Sequence, residues 1–175
     1  MSSATIDAVS PISGLLAKSK TDHSLLEKSN LIDGTQWADD FSFAQVKKMA
    51  AFVDVYQVPE ETVLFFEGDK NAFLVLIIKG GVHVVKFDSR RNPKRITTLG
   101  PGKTIGEMSI IDGEPRSASA VTSVESILMI MTADKFNRLM DEWPRVAVVL
   151  VQKIAKLMSQ HLRQTSGRLI DHLGS

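Results

Sequence analysis

The spacing of apolar residues changes character twice along this chain. Up to about residue 35, Ile12, Leu15, Leu16, Leu25, Leu26, Leu31 and Ile32 recur at loosely helical intervals among Ser, Thr, Asp and Lys. That spacing predicts one or two short helices, over 11–19 and 22–29, broken near Asp33-Gly34. Phe41, Val46, Met49, Ala50 and Phe52 predict an amphipathic helix over 41–52, with Ser42 as its N-cap. From Val53 to Met131 the helical period disappears. Short apolar runs, many of them β-branched, occupy 53–58, 62–66, 72–78, 81–87, 95–99, 117–122 and 126–131. Turn residues separate them, among them Pro59-Glu60-Glu61, Glu67-Gly68-Asp69-Lys70, Lys79-Gly80-Gly81 and Gly100-Pro101-Gly102. Seven or eight short strands at such close spacing predict an antiparallel roll or sandwich, not a parallel sheet.

Helical spacing returns at Thr132, a suitable N-cap for a short helix over 133–142 that buries Phe136, Leu139 and Met140. Pro144 breaks that helix and can open the next. Nothing stops this second helix before about Leu173 except Gly167, at a cost of about 1 kcal/mol relative to Ala. Val151, Ile154, Met158, Leu162, Thr165, Leu169 and Leu173 recur at steps of three or four and form one seam. One small roll cannot cover so long a helix, so residues 144–173 are expected to pair with a second copy of the chain, the alternative being a helix folded back on its own domain. The chain thus divides into an N-terminal helical extension (1–40), a β-roll with flanking helices (41–143) and a long C-terminal helix (144–175).

Composition narrows the function without choosing it. The 175 residues suffice for one domain with a proper core, and 43% hydrophobic with 23% charged is ordinary globular content. A formal net charge of +1 gives no broad electrostatic reason to bind nucleic acid. The absence of cysteine excludes disulfides and thiolate metal sites. The longest apolar runs, 73–78 and 146–151, fall far short of a membrane span, and the N-terminus lacks a signal-peptide pattern, so a cytoplasmic protein is expected.

The stretch from Lys103 to Ser119 carries the candidate chemistry. Gly106 permits positive φ or close approach of a ligand, and the residues after it can form one helical turn whose free N–H groups favour an anion. Arg116, beside the stiff Pro115, offers a planar fork for two phosphate oxygens, and Glu107 can accept from sugar hydroxyls. Gly106-Glu107, Ile110-Ile111 and Pro115-Arg116-Ser117-Ala118 together resemble the phosphate-binding cassette of the cyclic nucleotide-binding domain family, of the catabolite activator and protein kinase A regulatory subunit type. The Glu67-Gly68-Asp69 turn and Gly80 extend the resemblance over roughly 40–165, without a helix-turn-helix module.

The resemblance implies a mainly β fold with flanking helices, an antiparallel, jelly-roll-like β-roll. It implies that Glu107 holds the ribose 2′-hydroxyl and Arg116 the cyclic phosphate, with Gly106, the Ser117 hydroxyl and the backbone of Met108 and Ser109 completing the cradle. Replacing Arg116 by Ala should then weaken binding far more than folding. Thr165-Ser166 resembles the Thr-Ser pair with which catabolite activators hold adenine, but it sits one helical turn late, and His161-Leu162 fills the matching interval. His161, Thr165 and Ser166 are therefore all candidate base contacts. Guanine-selective kinases of the family place Thr where this chain has Ser117, which points to 3′,5′-cyclic AMP, with cyclic GMP as competitor.

A sensor protein acting through an effector protein or its own dimer is the implied function. The alternative is the sensor domain of a transcription regulator, separated from its DNA-binding module. The roll is also shared with cupin metalloenzymes, which gather histidines inside the barrel. Of His23, His83, His161 and His172 only His83 lies in the strand region, so neither a metal site nor an enzyme is expected.

Overall fold

The computed structural model describes residues 19–90 and 92–173. Among these residues nine strands form two sheets with every pairing antiparallel. The first contains β1 (Lys20–Thr21), β2 (Asp54–Val58), β9 (Ser126–Thr132), β4 (Phe73–Lys79) and β7 (Thr104–Ile105), in that spatial order. The second contains β3 (Val63–Phe65), β8 (Ser119–Thr122), β5 (Val82–Phe87) and β6 (Pro93–Leu99). This is the antiparallel β-roll with flanking helices that the family resemblance implies, one of the two architectures that the strand spacing allows.

The unbroken apolar runs of β4 and β9 are explained by burial on both faces. Phe73, Val75 and Ile77 alternate with Leu74 and Leu76, as Leu128 and Ile130 do with Met129 and Met131. The first set packs between the sheets with Val58, Leu64, Phe65, Val82 and Ala120. The second packs outward under the helices, against Trp37, Met49, Phe136, Leu139, Leu150 and Ile154.

Among the described residues five α-helices supply that second layer: α1 (Leu25–Asp33), α2 (Phe43–Ala50), α3 (Glu107–Asp112), α4 (Ala133–Glu142) and α5 (Pro144–Leu173). Ser24 and Ser42 start α1 and α2 with full capping boxes, closed by Glu27 and Gln45. The α1 cap displaces the expected 22–29 helix toward its C-terminal side. A 3-10 turn at Gln36–Asp40, which apolar periodicity does not reveal, carries Trp37 into the core. Strands β1 and β7 have two residues each, too few to show a period, and β6 starts at Pro93 rather than Arg95. The expected helix at 11–19 lies outside the described residues but for Ser19.

The long helix corrects the single-seam expectation. Val146, Ala147, Leu150 and Ile154 pack into the chain's own core, with Met158 partly buried beside them. Val148, Val151 and Leu162 remain exposed on a neighbouring stripe. Lys153 pins the helix to the 3-10 turn by a 2.6 Å contact with Asp40. The bend between α4 and α5 is held by Lys48, whose ammonium lies 3.8 Å from the centroid of the Trp143 ring.

Candidate functional site

Arg116 stands at the end of the inter-sheet layer, and its backbone is fixed before its side chain. Its N–H donates to the Asp69 carbonyl and its carbonyl accepts from Gly68 N–H, both at 2.8 Å. The Asp69 carboxylate in turn accepts from Phe66 N–H at 2.9 Å, and Ser119 Oγ accepts from Glu67 N–H at the same distance. The Glu67-Gly68-Asp69 turn is thus the strut on which the arginine is mounted.

The guanidinium is 3% exposed as a residue and lies 4.1 Å from the ring centroids of both Phe65 and Phe73. Its Nη1 donates to Phe73 O at 3.0 Å, Gly106 O at 3.2 Å and Ser109 Oγ at 2.7 Å. Its Nε and Nη2 are buried with no partner among the described residues. Burial lowers its pKa to about 10, against the opposing pull of Asp69 and Glu107, and it stays charged at neutral pH. A desolvated cation with two orphaned donors is the donor set that an anion with two oxygens would satisfy.

Gly106 makes this packing feasible. Its φ is +87°, and a Cβ there would stand 2.5 Å from both Arg116 Nη1 and Phe73 O. Glu107 opens α3 with its side chain buried, the residue only 6% exposed. Burial raises the pKa of its carboxyl, opposed by its own N–H, by His161 and by Arg116. A buried carboxyl and a buried donor fork therefore share one end of the roll.

Ser109 contributes by its hydroxyl to Arg116, whereas the sequence suggests only its backbone. Met108 and Ser117 are exposed at the rim, their Sδ and Oγ 3.6 Å apart. Of the three candidate base contacts, His161 lies over the site, with Nδ1 3.9 Å from Glu107 Oε1. Thr165 and Ser166, one turn further along α5, are exposed. Sequence reasoning missed Phe65 and Phe73. They read as ordinary strand apolars, and only the three-dimensional approach of β3 and β4 to Arg116 reveals the clamp.

The described histidines do not converge. His83 shares a 2.8 Å contact with Thr98, while His161 faces Glu107, and no group of three metal-ligating side chains occurs among the described residues. Nor is any described helix long and apolar enough to cross a membrane.

Comparison with known proteins places the chain in a family. The chain is 30% identical over 106 residues to the cyclic AMP receptor protein of Thermus thermophilus, a match covering 61% of this chain and 47% of that protein. It is 27% identical over 113 residues to a CRP-like cAMP-activated global transcriptional regulator of Mycobacterium tuberculosis, covering 65% of this chain and 49% of the other. The chain thus spans about half the length of these curated relatives. The solved structure of a cyclic nucleotide-binding domain from Methylobacillus flagellatus superposes with a TM-score of 0.73 at 28% identity, covering 85% of this chain and 83% of that one. The family profile of the cyclic nucleotide-binding domain matches residues 55–142, from β2 through α4 and including the whole Gly106 to Arg116 cradle, and this chain belongs to that family.

Proposed function

We propose that the chain is a sensor for 3′,5′-cyclic AMP, in which Arg116 takes the cyclic phosphate, Glu107 the ribose 2′-hydroxyl, and α5 transmits occupancy. The observation that carries this reading is the buried guanidinium with two free donors, Nε and Nη2. Gly106, Met108, Ser109 and Ser117 complete the cradle in this proposal. The 3.9 Å approach of His161 to Glu107 favours His161 over Thr165 and Ser166 as the group nearest the ribose and base. The adenine preference rests on Ser117 and on the cyclic AMP named for the relatives. Titration calorimetry with cyclic AMP and cyclic GMP tests it: tighter cyclic AMP binding is expected, and equal or tighter cyclic GMP binding overturns the preference.

Output is assigned to α5 and its bend at Trp143-Pro144. Ligand shifts the position of α5 only by its differential affinity for the two positions. The exposed Val148, Val151 and Leu162 support a homodimer through residues 144–173, with 41–143 as the sensing unit and 1–40 as an extension. The chain acts as a non-catalytic cytoplasmic receptor that passes its signal to an effector protein. A second reading, the sensor half of a transcription regulator, is favoured by the half-length match to such regulators. Ligand-dependent binding of genomic DNA in a mobility-shift assay would select that second reading.

A further inference from the structure

The β5–β6 hairpin is unlike the rest of the surface. Strand β6 is the outer strand of its sheet, pairing only with β5 among the described strands, and Pro93 through Thr98 are exposed on both of its faces. One rim of N–H and C=O groups is therefore open to another chain. Phe87, 45% exposed, and Ile96, 49% exposed, put apolar surface beside that rim.

The same hairpin concentrates charge. Within ten residues the sequence has five basic side chains, Lys86, Arg90, Arg91, Lys94 and Arg95, and one carboxylate, Asp88, on a chain whose formal net charge is only +1. The remainder of the protein is thus net acidic, and the basic field is local. Asp88 is turned inward on its own loop, accepting from the N–H groups of Arg90 and Asn92 at 2.9 Å. Among the described residues only Lys86 of the basic set has an ion-pair partner, Glu67 at 3.4 Å.

We infer that the β5–β6 hairpin docks an acidic, extended segment of a partner protein, which adds a strand to the free edge of β6. Edge pairing supplies backbone hydrogen bonds, Phe87 and Ile96 supply apolar contact, and Arg90, Lys94 and Arg95 select acidic sequence. Charge argues against the other occupants. The chain's own residues 1–18 contain one carboxylate, Asp7, and the exposed part of α5 presents Lys156 and Arg163, so neither complements the hairpin. A lipid surface would leave the open backbone rim without partners at the depth Phe87 and Ile96 would reach. The hairpin also touches the candidate site, because Lys86 Nζ donates to the carbonyl of Ser117, the neighbour of Arg116, at 3.0 Å. Docking is nonetheless independent of which nucleotide the cradle takes.

The test is selection of a random peptide display library on the full chain, followed by binding measurements on the enriched peptides. Enriched sequences should be net acidic, should slow amide exchange in β6, and should bind about ten-fold more weakly to the Lys94→Glu/Arg95→Glu variant and in high salt. Circular dichroism of the variant checks that these exposed replacements leave the fold intact. Enrichment without acidic bias, exchange protection elsewhere, or undiminished binding by the variant overturns the proposal. So does a salt-sensitive dimer that the variant abolishes, or co-sedimentation with phosphatidylserine vesicles that the variant loses, since these assign the hairpin to a second copy or to a lipid surface. A failure of nucleotide titration leaves all of these readouts in place and counts only against the proposed function.

Discussion

The Arg116 guanidinium donates from Nη1 to the Phe73 carbonyl at 3.0 Å and stands 4.1 Å from the ring of the same residue. The start of β4, within the inter-sheet core, and the candidate phosphate ligand are therefore one packing unit. An alanine at 116 would remove three hydrogen bonds and the filling between Phe65 and Phe73, so folding and binding would fall together. This departs from the sequence-based expectation, and the reason is burial. Arg116→Lys is the sharper test, because it keeps charge and stem but cannot reach the core acceptors and a ligand together. It should weaken cyclic nucleotide binding about ten- to a hundred-fold, as expected for losing a charge-assisted contact worth roughly 1.5–3 kcal/mol. Calorimetry reads the affinity and urea unfolding the stability. Unchanged affinity would remove Arg116 from the phosphate site.

What the sequence reveals of this site, and what it hides, follows from range. Gly106, Glu107 and Arg116 sit within eleven consecutive positions, so their grouping is readable from the chain itself. Ser42 is equally readable as a cap, since its partner Gln45 is three residues on. Phe65 and Phe73 are legible as strand residues but not as a guanidinium clamp, because their meeting with Arg116 is set by the roll. The α5 stripe fails for a related reason. Steps of three and four mark a broad apolar band, and only docking at the Trp143 bend decides that Ile154 turns inward while Val151 stays exposed.

Glu107→Gln should separate stability from function in the opposite direction. Burial raises the pKa of this carboxyl, so its charged form costs folding free energy above the folded-state pKa. The amide is expected to raise the melting temperature of the ligand-free protein at neutral pH and to weaken nucleotide binding. As pH falls through the raised pKa, wild type becomes protonated and the melting difference should shrink. A difference that grows toward acid pH would contradict the burial argument.

Gly106 and Gly113 flank α3 and give an internal comparison. Both have positive φ, +87° and +73°. A Cβ at 106 collides with Arg116 and the Phe73 carbonyl, whereas at 113 it meets nothing within 4 Å. Gly113→Ala should cost only the backbone strain, about 1–2 kcal/mol, with affinity retained. Gly106→Ala should displace the guanidinium and abolish measurable nucleotide binding as well. Equal affinities for the two variants, measured by the same titration, would show that the cradle tolerates a shifted arginine.

Asp54 is where pH should act on the fold as a whole. It joins Lys20 of β1 at 3.0 Å, Lys28 of α1 at 4.0 Å and Lys135 of α4 in a short contact. Burial pushes its pKa up, but the hydrogen bonds from Lys135 and Lys20 outweigh that and hold it below the ordinary aspartate value. A carboxylate whose folded pKa is depressed adds stability above its unfolded pKa and loses it as pH falls through the folded one. Asp54→Asn leaves three lysines around a neutral amide, and should cost about 1–3 kcal/mol at neutral pH. Urea midpoints of wild type and variant should therefore differ at neutral pH and converge below the ordinary aspartate range. Because Lys135 lies on the helix that leads to the Trp143 bend, the same variant should loosen α4 first, seen as faster amide exchange over 133–142 than in β9. Uniform acceleration across both elements would mean that the cluster supports the fold globally and has no special hold on the bend.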